Sequence, residues 1–182
     1  MSWLNNIFVL AAALVAVFWE AAFNGVRHLL GAQIDLLPPL MVYAALSGNL
    51  ATVCLLACGG GLLFDSLSAN PLGISVLPLF TVGLVIHVWR DLILRDQPFA
   101  QTTLGVTAGA CVPVLTLLML LTLGHAPQVG WGTLWQLIVM TLGSAVATPV
   151  FFLLFEWLQK TLAHAPNVES SFRPDREIRR GR

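Results

Sequence analysis

Apolar residues in this chain come in blocks far longer than the core-facing stripe of a soluble helix. Five stand out, over about 4–24, 36–64, 72–89, 101–123 and 132–158. Lipid offers no partner to an unpaired backbone group, so long apolar blocks fold as helices. Crossing the hydrocarbon core takes roughly 20 residues. The second block is too long for one span: its 29 residues would form a helix of about 43 Å at 1.5 Å per residue, against a core of about 30 Å. Ser47-Gly48-Asn49 interrupts it with a turn signal. The pattern therefore predicts a short helix near 36–47 and another near 50–65, giving six helices; one tilted helix over 36–64 is the alternative. The first block, which no Lys or Arg precedes, reads as a retained span rather than a cleaved leader.

Punctuation refines the boundaries. Pro38-Pro39 suits the first turn of a helix, where a backbone N–H has no partner anyway. Asn70-Pro71 predicts a cap followed by a first helical position. Pro78, Pro113 and Pro149 fall inside the expected spans and predict kinks.

Composition agrees with this membrane reading. Hydrophobic residues make up 57% of the 182 and charged residues only 10%, against about 25% charged in soluble domains. The net charge of zero conceals an uneven distribution: nine of the 18 acidic and basic side chains lie between Lys160 and Arg182. The chain thus divides into a helix bundle over 1–160 and a charged tail over 161–182, too polar to build a core of its own. With six spans, Arg90, Arg95, Lys160, Arg173, Arg176, Arg179, Arg180 and Arg182 share one side and Arg27 the other, so both termini are expected in the cytoplasm. A five-span arrangement puts all nine inside and keeps the carboxyl tail cytoplasmic. Trp89, Trp131 and Trp157 sit where interfacial anchors belong.

No constellation of catalytic residues emerges. The four histidines are scattered without a ligand-pair spacing, and no cofactor or nucleic-acid motif is present. Cys54, Cys58 and Cys111 read as small apolar packing residues. Asp35 and Asp65 share the outer side, but no peptidase-like motif surrounds either. Glu20 and Glu156 are the clearest ionisable residues within spans. Glu20 is expected to pair with Arg27, and Glu156 with Lys160 at the favourable i, i+4 spacing; a proton or ligand role is the alternative for each. Gly59-Gly60-Gly61 lacks the Lys-Ser/Thr of a phosphate loop and predicts close helix packing. Ala12, Ala16 and Asn24 give the first helix a weaker stripe of the same kind.

The stretch from Ile34 to Leu94 reads Ile-Asp-Leu-Leu-Pro-Pro, then Tyr-Ala-Ala-Leu-Ser-Gly, then a helix ending Gly-Gly-Leu-Leu-Phe-Asp, then Asn-Pro-Leu-Gly. It resembles the rod shape-determining protein MreD family in Pro38, Gly61, Leu62, Asp65, Leu72 and Gly73. The resemblance implies an all-α, polytopic inner-membrane bundle of about six transmembrane helices, similar in fold to the substrate-binding subunits of vitamin transporters. It implies a non-enzymatic subunit of the cell-elongation machinery that associates with a single-span MreC-like protein, and through it with MreB filaments and RodA-type peptidoglycan synthases. A vitamin-like binding subunit of a transporter is the alternative. Of polar groups for an outward crevice, only Asp35, Asp65, Ser66, Ser68 and Asn70 qualify, fewer than a ligand site usually gathers.

Overall fold

A computed structural model describes residues 2–22, 31–68, 71–93, 97–124 and 130–163. They form helices and their connections, with no strand among the described residues. Helix α1 covers Ser2–Ala22, α2 Leu37–Ser47, α3 Leu50–Leu67, α4 Val76–Trp89, α5 Pro98–Thr122 and α6 Trp131–Ala163. A single 3-10 turn, Arg90–Leu92, follows α4. The apolar block over 36–64 is thus two helices, as its length required. Three helices, α3, α5 and α6, are long and apolar enough to cross a membrane.

The bundle is organised around α2. Ten of its eleven residues are buried, and it touches every one of the other five helices. At 1.5 Å per residue α2 is about 16 Å long, roughly half a hydrocarbon core. It is therefore a sheathed half-length helix. An apolar residue on every side is what such a position demands, and Leu-Pro-Pro-Leu-Met-Val-Tyr-Ala-Ala-Leu supplies it.

Toward its C-terminal half, the Tyr43 ring stacks on Phe155 of α6 with centroids 4.2 Å apart. Phe152 meets it edge-on at 5.1 Å. Gln159 Nε2 donates to the Tyr43 hydroxyl at 3.2 Å, so the ring's polar tip has a partner inside the bundle. The chain reverses at Gly48 and Asn49. Thr52, fully buried at the start of α3, donates its hydroxyl to Asn6 Oδ1 at 2.6 Å and so ties α1 to this turn.

Outside, the faces of α5 and α6 are apolar. Leu118, Leu121, Leu142, Val146, Val150, Leu153 and Leu154 on α5 and α6 are all exposed. So many uncovered side chains would be an aggregation hazard in water. Trp89, Trp131 and Trp157 are also exposed, near the ends of their helices. Pro113 and Pro149 lie inside helices.

Two boundary expectations need correction. Helix α4 does not start at Pro71: a turn runs over 72–75, with the Ile74 N–H bonded to the Pro71 carbonyl at 3.3 Å, and the helix begins at Val76. Asn70, the expected cap, lies outside the described residues. Consequently Pro78 is the third residue of α4 and not an interior one, and its missing N–H is one that the first turn leaves unbonded in any case. Residues 164–182, the greater part of the charged tail, also lie outside the described residues.

Candidate functional site

The densest polar structure in the bundle is the junction between α3 and α4. Asp65, one turn after Gly61, is buried with 1% of its surface exposed. Its Oδ2 accepts from the backbone N–H of Gly73 at 2.9 Å and of Ser75 at 3.1 Å. Its Oδ1 accepts from the Ser75 hydroxyl at 2.5 Å. Three donors in a water-poor setting are what makes an unpaired buried carboxylate tolerable. The position helps further: Ser75 precedes the first residue of α4, and a helix N-terminus favours negative charge. These bonds also explain the delayed start of α4, because the amides of Gly73 and Ser75 are directed at the carboxylate.

Two glycines permit the arrangement. Gly73 has φ +90, a conformation that side chains with a Cβ rarely adopt. At Gly61 a Cβ would come within 3.0 Å of Val76 Cα and 3.1 Å of its N. Those are backbone atoms that cannot swing aside, so Gly61 sets how closely the first turn of α4 approaches α3. Gly61, Asp65 and Gly73 are therefore parts of one joint. Pro38 is buried in the first turn of α2, as expected of it. Leu62 and Leu72 belong to the same stretch of sequence but are 47% and 73% exposed and take no part in the joint. Of the three consecutive glycines, Gly60 packs toward Leu37 of α2 and Gly59 faces open space.

A second polar cluster collects at the N-terminus of α2. Glu20 of α1 accepts from the Leu36 N–H, and Asp35 accepts from the Leu37 N–H at 2.9 Å. Burial pushes the Asp35 carboxyl up from its ordinary 3.8 to about 6, against the opposing effect of that hydrogen bond. Across the same segment, Gln136 of α6 receives the Gln33 N–H at 3.2 Å and returns a bond to the Gln33 carbonyl at 3.1 Å. The approach to α2 is thereby stitched to α1 on one side and α6 on the other. Glu20 was expected to pair with Arg27, which lies outside the described residues. Asp35 lies beside Glu20, while Asp65 serves the α3–α4 joint, so the two aspartates act at separate places.

The opposite end of α2 has complementary chemistry. His87 Nδ1 hydrogen-bonds the Ala45 carbonyl at 3.0 Å, and Arg90 donates to the Gly48 carbonyl at 3.2 Å. Carboxyls at the first turn and basic groups at the last follow the helix dipole. Sequence reasoning assigned neither His87 nor Arg90 to α2, because the contact joins residues 42 apart. Glu156 and Lys160 do pair, at 2.9 Å, but on the surface, where such pairs contribute little.

One packing motif was legible and overlooked. Gly105-x-x-x-Gly109 on α5 lies against Ser144 and Thr148 of α6, and a Cβ at either glycine would collide with those side chains. Comparison with protein-family models, with curated proteins and with solved structures returns no match to this chain.

Proposed function

We propose that this chain is a non-enzymatic, multi-pass subunit of the bacterial inner membrane that scaffolds peptidoglycan synthesis during cell elongation, in the manner of the MreD family. In this reading all six helices lie within the bilayer, both termini face the cytoplasm, and an MreC-like single-span protein is the direct partner. MreB filaments and RodA-type synthases are then reached through that partner.

The observation that supports it most is the α3–α4 joint. Three of the residues carrying the family resemblance, Gly61, Asp65 and Gly73, converge there on a single structural task. A rigid outer corner between two helices is the sort of feature a docking subunit needs. The outer polar groups favour the scaffold over a vitamin-binding subunit, because Asp65 is already engaged by Gly73 and Ser75 and is not left open to a ligand.

Depletion in a rod-shaped host tests the proposal: rounding of the cells and loss of co-purifying MreC-like protein in mild detergent are expected. Normal rods after depletion, or tight saturable binding of a vitamin to the isolated protein, would overturn it.

A further inference from the structure

The two carboxyl groups at the N-terminus of α2 pose an electrostatic problem that the hydrogen bonds alone do not solve. Glu20 and Asp35 bond to successive backbone amides, those of Leu36 and Leu37, so the two groups lie side by side. Asp35 is 8% exposed. Glu20 Oε2 has less than 1 Å² of accessible surface and no hydrogen-bond partner. A helix N-terminus supplies roughly half a positive charge, enough to offset part of one carboxylate and not two.

No cation among the described residues relieves the pair. In its described part α1 contributes no titratable group besides Glu20. Helix α2 has only Tyr43, which is engaged with α6. Helix α3 contributes Cys54, Cys58 and Asp65, the last engaged at the α3–α4 joint. Helix α4 has His87, and the adjoining 3-10 turn Arg90 and Asp91; His87 and Arg90 bond to the far end of α2. Helix α5 has Cys111. Helix α6 has Glu156 and Lys160, paired with each other on the surface, and reaches this segment through the neutral Gln136, bonded to Gln33, and through Gly143, which lies against Ile34. Arg27 and His28 belong to the segment 23–30 outside the described residues.

We propose that Glu20 and Asp35 form a proton-binding site that holds one proton between them at neutral pH, and that this proton fastens α1 to the N-terminus of α2. One carboxyl is ionised and takes the favourable end of the helix dipole. The other keeps its proton and donates it to its neighbour, which gives Glu20 Oε2 the partner it otherwise lacks. Two adjacent carboxylates in a site from which water is excluded would repel each other and separate, and α1 would then lose its polar attachment to the segment before α2.

Infrared difference spectroscopy on the full-length protein in detergent, read across a pH titration, tests this directly. A carbonyl stretch of a protonated carboxyl, shifted in heavy water, is expected at pH 7. Glu20→Gln, which keeps the oxygen that accepts from Leu36, is expected to lose that band while the protein remains folded by circular dichroism. Asp35→Asn is expected to lower the pH at which the band disappears by about one unit or more, a tenfold loss of proton affinity. Arg27→Gln and His28→Gln are expected to leave the band unchanged. Absence of the band in the wild-type protein at pH 7, its survival in Glu20→Gln, or a titration that Asp35→Asn does not move would each overturn the inference. So would an increase of the band in Arg27→Gln, which would reveal a cation paired with the carboxyls.

Discussion

Replacing Asp65 by alanine removes the acceptor for three hydrogen bonds at once. Two of the abandoned donors, the N–H and hydroxyl of Ser75, are buried, since Ser75 is only 4% exposed. A buried donor left without a partner costs about 1–3 kcal/mol, so the two set an upper figure of about 6 kcal/mol for the joint. Interhelical hydrogen bonds in membrane bundles average only about 0.6 kcal/mol, because the unfolded chain in lipid also finds partners. Three such bonds give a lower figure of about 2 kcal/mol. Asp65→Ala should therefore destabilise the bundle by about 2–6 kcal/mol, read as reversible unfolding in mixed detergent micelles. Ser75→Ala removes one bond and leaves two amides on the carboxylate, so about 0.6–1.5 kcal/mol is expected. The double variant should cost clearly less than the sum of the two, since both act on one network. A loss below about 1 kcal/mol for Asp65→Ala, or strict additivity with Ser75→Ala, would refute the account of the joint.

Other perturbations have distinct expected outcomes. Gly61→Leu should lower stability by about 1–3 kcal/mol or more through contact with the Val76 backbone; an unchanged melting temperature in detergent would contradict the close approach of α3 and α4. Gly109→Leu should loosen the α5–α6 pair, seen as a lowered melting temperature in detergent, whereas an unaltered melting temperature would count against tight packing there. Asp35 has a folded-state value raised to about 6, so its contribution to stability is fully present below 3.8 and is lost as pH rises through about 6; Asp35→Asn should flatten melting temperature over that window, and a slope identical to wild type would refute the assignment. Glu156→Gln should change stability by no more than about 0.5 kcal/mol, given the exposed setting of its pair with Lys160.

Much of the architecture was readable because the membrane imposes a simple grammar of length and polarity. The division at Ser47-Gly48-Asn49 followed from the excess length of one apolar block and was realised as two helices. The start of α4 was less accessible to such reasoning. Asn70-Pro71 is a sound start signal by local chemistry, yet Asp65 captures amides eight and ten residues later and postpones the helix. Likewise, the sequence singles out Glu20 as a carboxyl within a span and Asp35 as a polar group on the outer side, and gives no sign that these two, with His87 and Arg90, serve the two ends of α2. Those contacts are made across the bundle, and hydropathy holds no information about which buried end a side chain will meet. The Gly105-x-x-x-Gly109 spacing, by contrast, was available by inspection and specifies a close helix pair.

A half-length helix bears on how the protein is made as well as on how it stands. Eleven residues are too few to be held across lipid on their own merits, so α2 gains its place only once neighbours surround it. On the six-span reading it would enter the membrane together with α3 as a hairpin. Its final seating would then await α5 and α6, which come later in the chain, making the assembly of this bundle a late event that depends on its last helix.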